Sequence, residues 1–255
     1  MTGSLLLRGM LVGVLAGFLA FIFANRVGEP PIDLAIIFEE QMSALEETAN
    51  ATATAAASVE EEAPLVSRAT QATTGLATGL ISYGAAIGGI FSLVFSVAYG
   101  RFGTLGARAT AAILAVLAYI SVALVPLLKY PGNPPAVGFD ETVGSRTTLF
   151  FVLLAVSIAL MVVTVMMAQK LWRERGVWNA VLVSGAGYMV AIAIVFAIMP
   201  SINEMPEGFA PLVVWDFRIA SMGIHLILWT VIGLAFGITS ERLLENRDRP
   251  RLARA

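Results

Sequence analysis

The chain has 255 residues, 58% hydrophobic and only 13% charged, with a mean hydropathy of +0.82 and a formal net charge of −2 at pH 7. That balance lies far from an average soluble domain and points to a polytopic membrane protein. Cysteine is absent, which excludes a disulfide framework and a thiolate metal site.

Six stretches approach the roughly 20 residues needed to cross the hydrocarbon core of a bilayer. They cover 5–25, 76–100, 106–128, 148–170, 178–199 and 217–240, and the last is the weakest because His225 sits inside it. The expectation is an all-α polytopic helical bundle forming a single membrane domain over residues 1–255. The first apolar run resembles a signal peptide in position. It is too long, however, and no A-x-A cleavage pattern follows it, so a retained first helix is expected.

That first span carries Gly9, Gly13 and Gly17 in overlapping G-x-x-x-G steps. Gly75, Gly79, Gly84, Gly88 and Gly89 mark the second span, and Gly233 and Gly237 the sixth. Small residues at this spacing let helix backbones approach closely in lipid.

Between the first two spans, residues 26–75 are expected to form the one long outer loop. It opens with GEPPIDLAIIFEEQ, an amphipathic pattern in which Leu34, Ile37, Gln41 and Leu45 share one stripe. The segment contributes the acids Glu29, Asp33, Glu39 and Glu40. An Ala/Thr-rich linker with an acidic end follows, of a composition that tolerates disorder.

The second outer loop is the proline-rich run VPLLKYPGNPPAVGFDETVGSRTTLFF, in which the helix is expected to stop at Pro126 and to resume at Arg146. Lys129, Asn133, Asp140 and Glu141 lie between. The third outer loop holds Glu204, and Asp216 stands at the mouth of the sixth span. Each outer loop ends in an arginine that begins an inward helix: VSRATQ at Arg68, GSRTTL at Arg146, DFRIAS at Arg218. This weak repeat suggests three parallel hairpins around a shared axis with arginines at equal depth; the alternative is that each arginine snorkels to headgroups or caps its own hairpin.

Basic residues set the orientation. Arg8, Arg101, Arg108, Lys170, Arg173, Arg175, Arg242, Arg247, Arg249, Arg251 and Arg254 fall on the side of the termini, and Arg26, Arg68, Lys129, Arg146 and Arg218 on the other. The excess predicts cytoplasmic termini, with 241–255 as a basic cytoplasmic tail. Fourteen of the 18 acids fall outside, either as a cation-attracting face or as a solvated loop surface.

Borderline divalent metal cations accept carboxylate, carbonyl and imidazole ligands. The candidate ligands are His225, Asp140, Glu141, Glu204, Glu29, Asp33, Glu39 and Glu40. Arg218, Ser221, Met222 and His225 share a helical stripe, which is expected to face the bundle interior near Tyr83. An intramembrane histidine is a functional candidate, although a packed core histidine is the plainer reading. No nucleotide-binding loop, bis-imidazole haem site or H-E-x-x-H pairing is present, so neither an enzyme nor a resident cofactor is expected.

GEPPIDLAIIFEEQ, VSRATQATTGLATGLISYGAAIGGIF, VPLLKYPGNPPAVGFDETVGSRT and WDFRIASMGIHLILW together resemble the CbtA family of predicted cobalt transporter subunits. The resemblance implies a multi-pass protein of the bacterial inner membrane, linked to cobalt supply for cobalamin synthesis, with a small partner of the CbtB type. Other expected partners are the lipid bilayer and a divalent metal cation, with a homo-oligomer left open and no nucleic acid. The alternative is a non-transporting scaffold or receptor that positions the small partner.

Overall fold

The computed structural model describes residues 2–53, 66–103, 105–202 and 204–252; most of the Ala/Thr-rich linker and the last residues of the basic tail lie outside them. Among the described residues every regular element is helical. Hydrocarbon offers no hydrogen bonds, so a spanning backbone must satisfy its own polar groups, and the helix does this within one segment.

The first helix, α1 (Thr2–Phe23), does not end in a loop. It passes through a π-turn (Ala24–Gly28) into α2 (Glu29–Ala53). Pro30 and Pro31 lie in the first turn of α2, although a proline ring ordinarily collides with the carbonyl four residues back. Those carbonyls belong to Arg26 and Val27, inside the π-turn, whose wider winding relieves the collision. The same device recurs in the third span. There α4 (Ala107–Ala118) enters a π-turn (Tyr119–Leu124), and α5 (Val125–Lys129) follows. The carbonyl opposed to Pro126 is that of Val122, again inside the π-turn. The helix therefore runs past Pro126 to Lys129, where the sequence suggested a stop.

The second span, α3 (Leu76–Ala98), also begins early. Ser67 caps it, accepting from the Thr70 amide, and Arg68–Thr70 and a π-turn (Gln71–Gly75) lead into it without a break. Asn25 ties the two neighbouring π-turns together, donating to the Ala72 carbonyl at 3.0 Å.

Among the described residues, five continuous stretches are long and apolar enough to cross a membrane. The fourth, Glu141–Ile198, has 58 residues, and Gly176 breaks it with φ 76° and ψ 165°. Glycine alone adopts that conformation cheaply, so the stretch is two helices, α6 (140–175) and α7 (177–198). They fold back on each other, with Ser157 and Tyr188 hydrogen-bonded at 2.8 Å inside the pair. Counted in this way, the bundle has six passages, the last being α8 (Pro211–Leu252).

Helices α1, α3, α4 and α8 share the main core, around Phe91, Phe95, Leu228, Ile232 and Phe236. The α6–α7 pair is more peripheral: 17% of its most apolar window is buried, against 33–39% in the other stretches. It docks on α4 and α5 through Val125, Tyr130, Leu153, Met161, Tyr188 and Ile192. The base of α2 lies over the loops, with Ala35 beside Val137, Phe209 and Val214, and Phe38 edge-to-face on Phe209 at 4.9 Å.

The glycines of α1 and α3 interlock. A Cβ at Gly13 would stand inside the Gly84 carbonyl oxygen, and one at Gly9 or Gly17 inside those of Gly88 or Leu80. The obstacle is backbone, which cannot step aside. Gly13→Ala should therefore destabilise the fold by about 1–3 kcal/mol or more. Gly79→Ala, with nothing within 4 Å of its Cβ, should stay within about 0.5 kcal/mol. Unfolding in mixed detergent micelles reads both, and a Gly13→Ala variant as stable as wild type would contradict the close seam.

Candidate functional site

Polar side chains gather at the end of the bundle that holds loops 130–139 and 199–210. Lys129 closes α5, and its ammonium reaches the Phe196 carbonyl at 3.0 Å and Ser201 Oγ at 3.1 Å. Phe196 lies in the last turn of α7, where carbonyls lack helical partners and a cation is favoured. Tyr130 donates to the Pro200 carbonyl at 2.7 Å. These bonds hold the second outer loop against the third.

The arginines complete the tie by crossing over. Arg146, in the second turn of α6, donates to Glu204 Oε2 of the third loop at 2.9 Å. Arg218, near the start of α8, donates to Asn133 Oδ1 of the second loop at 3.0 Å. Each hairpin thus lends its arginine to the loop of the other. Gly138 makes the first contact possible, since a Cβ there would meet Arg146 Nη1 at 2.6 Å and its φ is +121°. The Phe139 amide also points at Glu204 Oε2, at 3.4 Å. Lys129, Asn133, Arg146, Glu204 and Arg218 line a cavity of about 20 Å³ between the loops.

Arg68 works within its own hairpin. It pairs with Glu29, which is buried, and with Asp33 at 2.9 Å. All three repeat arginines therefore bind protein oxygens at the loop end, although sequence could not choose between this and snorkelling. Three candidate metal ligands, Glu29, Asp33 and Glu204, are held by arginine. Glu39, Glu40, Glu141 and Asp216 are exposed, and Asp140 is the first residue of α6.

His225 lies apart from these, deeper in α8. Its ring meets the Tyr83 ring edge-to-face, with centroids 6.2 Å apart, and its buried Nδ1 has no hydrogen-bond partner. Ser221 on the same stripe is spent on its own helix, donating to the Phe217 carbonyl at 2.9 Å. Among the described residues, no three of histidine, cysteine, aspartate and glutamate come together to hold a metal ion.

Among the described residues, regular structure that is all helical, long apolar passages, glycine-locked helices and ion pairs kept to the helix ends define a helical, multi-pass membrane protein. The particular family follows from comparison. The chain belongs to CbtA, described as "Probable cobalt transporter subunit", whose family model matches residues 2–241. No curated protein and no solved structure matches the chain. A transporter-subunit family implies a role in transport and not in catalysis.

The Arg146–Glu204 pair yields an asymmetric prediction, because 24% of the arginine side chain is exposed but only 6% of the glutamate. Arg146→Leu leaves a buried carboxylate unpaired and should cost about 3 kcal/mol or more. Glu204→Leu leaves a cation that can turn to water and should cost less. The double variant should recover part of the first loss. Equal, additive losses in thermal unfolding of the purified protein would contradict the pairing.

Proposed function

We propose that this chain carries divalent cobalt across the bacterial inner membrane for cobalamin synthesis, with both termini on the cytoplasmic side. The family assignment supports cobalt transport. The observation that carries the site is the half-buried imidazole of His225, beside Tyr83, with its Nδ1 buried and unpartnered. In a membrane interior an unmade hydrogen bond is costly, and a group kept in that state is available to a passing ligand. His225 serves in this reading as a transient ligand, and sparse coordination suits a site that must release its ion. The exposed acids Glu39, Glu40, Glu141 and Asp216, together with Asp140, act as a diffuse field that raises the local cation concentration. Glu29, Asp33 and Glu204 hold the loop end in shape through their arginines.

A second reading, a scaffold that positions a small CbtB-type subunit, is favoured by one observation. An apolar groove of about 430 Å³ runs between α4 and α8, with Ala112, Ala115 and Gly233 among its small lining residues. Groups of this size suit close approach of another helix.

Radiolabelled cobalt uptake in cells expressing the chain, with and without its small partner, separates the readings. The transport reading expects His225→Ala to lose most uptake at normal protein level, and His225→Gln to retain part through its side-chain carbonyl. A stable His225→Ala variant with normal uptake would end the ligand role. Uptake identical with and without the chain would leave the scaffold.

A further inference from the structure

The loop-end cavity carries more positive charge than its own residues offset. Four charged side chains line it: Lys129, Arg146, Arg218 and Glu204. Glu204 is committed through Oε2 to Arg146 and the Phe139 amide. The hydrogen-bond partners of Lys129 and Arg218 are neutral: the Phe196 carbonyl, Ser201 and Asn133. Among the described residues, no carboxylate pairs with either cation. Three cations against one carboxylate leave a formal excess of two positive charges in a partly buried pocket.

Two orphan atoms sharpen the picture. Arg218 Nε is buried and donates to nothing, and Glu204 Oε1 is buried and accepts from nothing. Taking charges out of water without a counter-charge is costly, and an unmade hydrogen bond adds to that cost. A water molecule would serve the orphans but not the charge, and a metal cation would add to the excess. An oxyanion serves both needs, since guanidinium and ammonium groups donate to its oxygens in short, charge-assisted bonds. The unpartnered Oε1 then selects among oxyanions. It can only accept, so it favours one that still carries an O–H to donate.

We propose that Lys129, Arg146, Arg218 and Glu204 form a binding site for a proton-bearing oxyanion of the phosphate type. A cavity of about 20 Å³ admits only one or two oxygens, so the anion enters by one edge. Its charged oxygens face Lys129 and Arg218, and its hydroxyl faces Glu204 Oε1. The site goes beyond the cobalt reading and does not depend on it.

The same chemistry could come from a lipid headgroup, whose phosphodiester has no hydroxyl, and the test separates the sources. The full chain is placed in phosphatidylcholine nanodiscs, and its unfolding midpoint is followed while potassium phosphate near pH 6, or sulfate, replaces chloride at constant ionic strength. Phosphate should raise the midpoint saturably, and sulfate should bind about tenfold more weakly, the equivalent of one hydrogen bond to a charged group. Lys129→Gln and Arg218→Gln should each weaken phosphate about tenfold, with Arg218→Lys keeping much of the affinity to show that a folded, charged variant still binds. Glu204→Gln should lose the preference for phosphate over sulfate. A rise that does not saturate, or that is the same in wild type and in the Lys129→Gln/Arg218→Gln double variant, would overturn the site. Loss of the phosphate response in phosphatidylglycerol nanodiscs would assign the pocket to a lipid phosphodiester and overturn the proton-bearing selectivity.

Discussion

Hydrocarbon cannot solvate a polar group, and the arrangement of this protein follows from that limit. Apolar side chains gain little by leaving lipid for one another, so the helices are held by close packing and by polar bonds at their ends. The glycines of α1 and α3 supply the packing, with backbone set against backbone along three successive contacts. Bonds at the loop end supply the rest. There Lys129, Tyr130, Arg146 and Arg218 join the second outer loop to the third, and so tie the more peripheral α6–α7 pair to helices of the main core.

The π-turns belong to the same logic. A proline inside a spanning helix frees a carbonyl and crowds it, and in lipid the remedy must come from within the protein. Winding residues 24–28 and 119–124 more widely lets the chain pass Pro30, Pro31 and Pro126 without leaving the helix. One consequence is that α2 continues above the bundle and lays Ala35 and Phe38 over the third loop. Among the buried side-chain atoms left without a partner are His225 Nδ1 within the span, and Arg218 Nε with Glu204 Oε1 at the mouth. The first suits a metal ion and the second an anion, so the two sites call for ligands of opposite charge.

Much of the fold was legible because it rests on local pattern. Span lengths and glycine spacing follow from hydropathy and a 3.6-residue period, and the same period set His225 near Tyr83. The helix ends were less legible. Pro126 read as a stop and residues from 26 onward as a loop, because a π-turn is a response of the folded backbone with no residue signature of its own. Gly176 was one glycine among 23 until its positive φ marked the turn between α6 and α7. At the site, the acids and arginines were visible as types but not as partners. Arg68 meets Asp33 across 35 residues and Arg146 meets Glu204 across 58, separations that carry no periodic signal. The repeat of loop-ending arginines was the available clue, and it named the donors without their acceptors.

The central claim is that the interior imidazole is open to a cobalt ion while the carboxylates of the loop end are not. His225 is the single histidine of the chain, so its ring nitrogens give unambiguous ¹⁵N signals in labelled protein reconstituted in lipid. Cobalt is paramagnetic and erases the resonances of nuclei that it touches. The account predicts that added Co²⁺ bleaches the His225 ring signals, that Mg²⁺ does not, and that carboxylate ¹³C signals of Glu29 and Glu204 persist. Unchanged His225 signals, with those glutamate resonances lost instead, would contradict it.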